Sequence, residues 1–328
     1  MLSLVLALAA APPLAVGFGS APSKVGLVRE PESSPEAPGS LAVDAEGRVY
    51  VLDAPHARVA VFLGTGSSAK GATGAGMGAL AASIPLPSDT VEDIALLPSG
   101  DLAVLDRLVA RTVYVIAASG TVVAHAAVEG AGVEDGGEVT ALFADDTGVW
   151  LEVLRGAQVR VLDARLQPDV ARATRPGLPV VAPGARADAV REFVRLRKVG
   201  DAAQVLFFDA KGALVGDGRV DFLRGALVEL SGLVVSADGA RVYVAGHELV
   251  ETRRGRADHA DVAPVRDAVV VVELALGAHH RLVERGRRAV RASPEFVPLK
   301  QLVASGDGVA HLFVDSRAAS AGIEVASW

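Results

Sequence analysis

The sequence predicts an all-β protein assembled from repeats of one small unit, and three observations carry that prediction. Valine is abundant while aromatic residues make up only 4% of the chain, and 35 glycines with 17 prolines cut it into short pieces. β-Branched residues favour pleated strands, and Gly and Pro mark the turns between them. The stretch 38–62, PGSLAVDAEGRVYVLDAPHARVAVF, reads as three strands: GSLAVD and RVYVLD meet at the turn AEG, and RVAVF follows a polar bend. Such a unit exposes an apolar face that it cannot bury alone, so it requires neighbours. The third observation is recurrence, at an irregular period of roughly 50 residues, with turn glycines near 47, 100, 148, 200, 239 and 306.

Taken in order, residues 1–20 open the chain with an apolar run from Leu2 to Val16. They read as an export signal, with Ala7-Leu8-Ala9 or Ala9-Ala10-Ala11 as small-x-small cleavage sites, or an unstructured apolar N-terminus, with a misplaced start or a short buried strand as the alternative. No Lys or Arg precedes the run, and Pro12 and Pro13 with its short length argue against a spanning helix. Residues 21–328 then form one domain. KVGLVR (24–29) is a short β-like run, and EPESSPEAPG (30–39) is an extended connector. The first unit occupies about 38–90 and the second about 91–138, where Leu102 to Asp106 aligns with Val49 to Asp53. The third lies near 139–190, with Gly148 in its turn. A fourth, near 191–228, is degenerate, with apolar runs at 193–196, 204–208 and 213–215 and turns at Gly200-Asp201 and Lys211-Gly212. The fifth, near 229–299, turns at Asp238-Gly239, and a charged insertion from His247 to Asp267 delays its third strand. The sixth, at 300–328, supplies only three strands before the chain stops at Trp328.

Six such units close a ring, which removes the exposed sheet edges. The expected fold is therefore a six-bladed β-propeller in which an N-terminal strand, 24–29, completes the last blade. A two-layer sandwich leaves the repeat unexplained, and a doubly wound fold needs helical patterns between strands that are missing. The first unit closely resembles the NHL-repeat signature. Pro38, Gly39, Ala42-Val43-Asp44, Gly47, Val49-Tyr50-Val51, Asp53, Arg58-Val59 and Val61-Phe62 sit where that family's pattern places them, and His56 stands where it usually has Asn. The second unit keeps Ala95, Gly100, Val104, Asp106 and Val113-Tyr114-Val115. This resemblance implies a six-bladed propeller and says little of activity, because one fold hosts many.

Composition excludes several functions. The absence of cysteine removes disulfides, thiolate metal sites and cysteine nucleophiles, and a formal net charge of −7 gives no reason to expect nucleic acid. No G-x-S-x-G is present, and the Gly-rich run 64–80 lacks the order of a phosphate loop around Lys70. The acids closing second strands, Asp53, Asp106, Glu152 and Asp315, read as a structural set that ties the following bend. The starts of the first strands lie near the mouth of the central channel, and there Glu92, Asp93, Glu138, Glu229 and Lys300 are candidate ligand contacts. Carboxylates converging on the axis would suit a hard cation such as Ca²⁺, whereas a merely solvated acidic rim is the plainer expectation. Arg253, Arg254 and Arg256 in the blade-five insertion, with the basic run 281–291, are candidate partner contacts. None of the seven histidines is paired for metal binding along the sequence. The expectation is an exported (periplasmic or secreted) monomeric binding module for a protein, peptide or glycan, rather than an enzyme. It has no resident cofactor and no membrane span. The alternative is a metal-assisted propeller lyase or lactonase acting at the channel mouth.

Overall fold

The computed structural model describes residues 13–29, 35–64, 78–181, 192–222, 226–250, 266–293, 299–306, 308–315 and 322–327. After the short strand β1 (Leu14–Gly17), blade one is built from β2 (Leu41–Val43), β3 (Val49–Asp53), β4 (Arg58–Phe62) and β5 (Leu80–Pro85). Blade two holds β6 (Asp93–Leu96), β7 (Leu102–Asp106), β8 (Thr112–Ile116) and β9 (Val122–Ala127). Blade three holds β10 (Val139–Asp145), β11 (Gly148–Val153), β12 (Gln158–Asp163) and β13 (Thr174–Arg175). Blade four follows with β14 (Leu178–Val180), β15 (Glu192–Val199), β16 (Ala202–Phe208) and β17 (Leu214–Asp221). Blade five has β18 (Ala226–Val235), β19 (Arg241–Val250), β20 (Arg266–Leu276) and β21 (Leu282–Arg291), and blade six has β22 (Leu302–Ser305), β23 (Gly308–Asp315) and β24 (Gly322–Ser327). Six four-stranded antiparallel sheets result, the sixth completed by β1. The expected all-β six-bladed propeller is the fold.

Alternation explains the core. Along β3, Val49 and Val51 pack towards blade six while Tyr50 and Leu52 pack towards blade two, because successive side chains leave opposite faces of a strand. Each sheet is thus apolar on both faces, and the core lies between blades. The turns depend on glycine where predicted: Gly47 and Gly100 take φ of 77° and 89°, a left-handed conformation that costs a side-chain-bearing residue more.

The seam differs from expectation in its strand. Leu14–Gly17 pairs with β24, Leu14 opposite Val325 and Val16 opposite Ile323, and both side chains are buried. The run 24–29 instead crosses blade one. Gly26 N–H donates to Asp53 Oδ1 at 2.7 Å, and Val25 is buried in the cluster shared by blades six and one. Its apolar residues serve this crossing because the chain, having closed the outer edge of blade six, must travel inward to β2 on the axis. The ordered domain consequently reaches back at least to Leu14, inside the stretch 1–20 expected to be a leader.

Two further boundaries shift. In blade four the apolar runs are strands two, three and four, since β14 precedes them, one strand out of step with the sequence expectation. In blade five the charged insertion begins later than expected, because β19 and β20 continue as a paired hairpin as far as Val250 opposite Arg266. The basic run 281–291 is that blade's outer strand, where charge protects an edge from further pairing. Among the described residues no helix is long and apolar enough to cross a membrane.

Candidate functional site

Asp93, the first residue of β6, is fully buried beside the axis. Its Oδ1 accepts from Ser40 Oγ at 2.6 Å and from Ile94 N–H at 2.8 Å, and its Oδ2 accepts from Leu142 N–H at 2.7 Å. Lys300 Nζ stands 3.0 Å from Oδ1 and donates to the carbonyls of Ile94 and Leu142 at 2.7 and 2.6 Å. Both charges are therefore matched by partners, as buried ions must be. Of the five predicted channel-mouth residues, these two are the pair joined to one another.

The other three acids go separate ways. Glu92 binds Arg107 Nε at 2.5 Å; burial raises its pKa, and the guanidinium opposes the rise. Glu229 is exposed and meets Arg155 at 3.3 Å. Glu138 ends a short 3₁₀ turn, half-buried, and its carbonyl accepts from Leu154 N–H. Among the described residues, no three His, Asp or Glu side chains are grouped to hold a metal ion. Arg253, Arg254 and Arg256 lie outside the described residues.

The four acids of the second strands are not one set. Asp53 and Asp106 do tie their bends, Asp53 taking Arg58 Nε and His56 Nδ1 at 2.8 Å and Asp106 taking the N–H groups of Val109 and Ala110. Asp315 instead meets Arg291 of blade five. Glu152 shares the face of Trp150, opposite to that of Leu151, which packs in the cluster between blades two and three. Its side chain therefore turns towards blade four and the channel.

There it lines a cavity of about 490 Å³ walled by residues of every blade, among them Val43, Leu96, Phe143, Val180, Leu233 and Val303. Glu152 Oε2 accepts from Thr140 Oγ1 at 2.7 Å, and burial raises its pKa against the opposing pull of Thr140, Arg155 and Lys300. Arg195 of β15 also lines the cavity. Its Nε donates to Pro176 O and its Cζ lies 5.1 Å over the Phe208 ring, while burial lowers its pKa. Ser231, on a bulge of β18, brings a buried hydroxyl with no partner among the described residues. Sequence reading missed Arg195 and Ser231, which carry no motif, and misjudged Glu152; the face alternation of β11 was the available signal.

Away from the channel, His247 and His311 sit in the interface of blades five and six, each with a buried Nε2 lacking a partner among the described residues. Burial, reinforced by His247, pushes the His311 imidazole down to about 4.

Comparison with known proteins gives likeness in structure only. No protein-family model matches the chain, and no curated protein matches it in sequence. A member of the DUF4221 family from Bacteroides vulgatus superposes with a TM-score of 0.50 at 12% identity, over 97% of both chains. Hydrazine synthase of Kuenenia stuttgartiensis gives 0.50 at 12% identity, over 87% of this chain and 76% of that one. Virginiamycin B lyase of Staphylococcus aureus is looser, at 0.41 and 10% identity, over 88% of this chain and 94% of that one. Likeness at such identities is likeness of fold, and the fold of this chain is the six-bladed β-propeller.

Proposed function

We propose that this protein is an NHL-like binding module that takes its ligand into the central channel. The observation that carries the reading is the cavity itself: about 490 Å³, in the size range of small-ligand sites, with largely apolar walls and convergent charged groups, among them Glu152, Arg195, Arg155, Arg175 and Lys300. Apolar walls suit a peptide carrying aliphatic side chains better than a glycan, whose hydroxyls would be left unpaired there. The metal-assisted lyase or lactonase reading is the weaker one, because Asp93, Glu92 and Glu229 each already meet a basic side chain. The apolar N-terminus, with its small-x-small sites ahead of β1, supports export from the cytoplasm.

The experiment compares thermal shifts of the protein and its Gly232→Phe variant against panels of capped apolar peptides and of oligosaccharides. Gly232 lines the cavity, and a Cβ there meets nothing nearer than Leu302 Cβ at 3.8 Å, so a side chain can start from this position without a backbone clash at Cβ. Peptide-dependent stabilisation lost in the variant is expected. Stabilisation by oligosaccharides alone, or hits untouched by Gly232→Phe, would overturn the reading.

A further inference from the structure

Two charged groups face the channel without pairing. The carboxylate of Glu152 is near enough to favour the charge on Arg195, yet no ion pair joins them. Each is held from behind. Arg195 is anchored through Nε to Pro176 O and stacked over Phe208, and Glu152 is anchored through Oε2 by Thr140. Arg195 Nη1 and Nη2 and Glu152 Oε1 are thereby left with no hydrogen-bond partner among the described residues, in the wall of one cavity. A fixed fork of donors and a fixed acceptor, set apart, call for a group that bridges them.

We propose that the central cavity recognises an amide on an aliphatic body, its C=O received by the Arg195 fork and its N–H by Glu152 Oε1. This rests on the channel-binding reading and names the chemistry of its ligand. Charge favours a neutral head group. A carboxylate entering there meets Glu152, Asp145 and Asp146, and an ammonium meets Arg195, Arg155, Arg175 and Lys300, whereas an amide supplies acceptor and donor in one planar, uncharged group. The unpartnered hydroxyl of Ser231 in the same cavity offers a contact for a second amide, as a peptide would present. Without ligand, water bridging the two groups would satisfy them; displacing it pays only for a ligand that reproduces both hydrogen bonds.

The test is calorimetric titration of the full chain near neutral pH with four probes: N-methylhexanamide, N-acetyl-leucine N-methylamide, hexanoate and hexylammonium. The amides should bind at least about tenfold more tightly than the acid and the amine, about the worth of one good hydrogen bond to a charged group. Tighter binding of the capped leucine than of N-methylhexanamide identifies a peptide as the source of the amide, and equal binding a simple amide. Glu152→Gln and Arg195→Met should each weaken amide binding about tenfold, with melting temperature and circular dichroism reporting that both variants fold. Arg195→Lys, which keeps the charge but loses the fork, should weaken it similarly. Hexanoate or hexylammonium binding as tightly as the amides, or folded variants binding like the parent, would overturn the amide assignment. Gly232→Phe separates the two claims. If it blocks binding while the acid is preferred, only the amide assignment falls; if amide binding survives it, the channel reading falls as well.

Discussion

Lys300 Nζ lies 3.0 Å from Asp93 Oδ1, joining blade six to blade two beside the propeller axis. Ser40 of blade one and Leu142 of blade three bind the same carboxylate. Four blades therefore meet at one buried ion pair, which sets the first strands that wall the channel. Predicted as ligand contacts, these residues act first as a fastening.

Removing one member of such a pair leaves the other charge buried without a counter-ion, at a cost of about 3–5 kcal/mol. Asp93→Leu should lower the unfolding free energy by that amount in a urea titration. The double variant Asp93→Leu/Lys300→Met should recover much of it. A loss of less than about 1 kcal/mol in the single variant would show that the fastening is unimportant.

Acid should loosen the interface of blades five and six. His311 titrates at about 4 in the folded protein against an ordinary 6.5. Between those values the unfolded chain binds more protons than the folded one, so stability is full above pH 6.5 and falls as pH drops towards 4. The loss amounts to about 3 kcal/mol. Denaturant unfolding at about pH 7.5 and about pH 4.5 should show it, and His311→Gln should flatten the dependence. Equal pH slopes in parent and variant would place the acid sensitivity elsewhere.

The seam can be tested by truncating its buried side chains. Leu14→Ala should cost about 2–5 kcal/mol, because Leu14 is buried against blades six and one. Val28→Ala, at a residue that is 37% exposed, should cost less than about 0.5 kcal/mol. An exported form must likewise be cleaved before Leu14 to keep its closing strand, which N-terminal sequencing reads directly. A mature chain beginning after Gly17 with an unchanged melting curve would refute the seam.

Calcium distinguishes the binding module from its rival. With Asp93, Glu92 and Glu229 engaged by Lys300, Arg107 and Arg155, millimolar Ca²⁺ should shift the melting temperature by less than about 1 °C. A larger rise, reversed by chelator, would restore the metal-assisted reading.

The ring was readable because its signals are local. A turn glycine with apolar alternation on either side marks the units, and within 38–62 the three expected strands are β2, β3 and β4. Reading failed where pairing partners are far apart in sequence. Nothing local tells Leu14–Gly17 from 24–29 as the partner of β24, since both are short apolar runs. In blade four β14 and β15 are joined through 181–191 and not through a tight glycine turn like that at Gly47 between β2 and β3, so nothing local ties β14 to its unit and the sequence places that unit one strand late. At the channel, the acids were judged by position along the chain, but function depends on the face. Glu152 lies beside residues that pack between blades and still points the other way, and Arg195 becomes visible only when blade four stands next to blade three.

The channel as ligand site is tested most directly by methyl NMR of Leu- and Val-labelled protein titrated with N-acetyl-leucine N-methylamide. The predicted result is saturable shifts of the channel-wall methyls of Leu96, Val180 and Val303, with the exposed methyls of Val122 and Val123 on the outer strand of blade two unmoved. Shifts confined to those exterior residues, or an unperturbed channel wall at saturation, would contradict it.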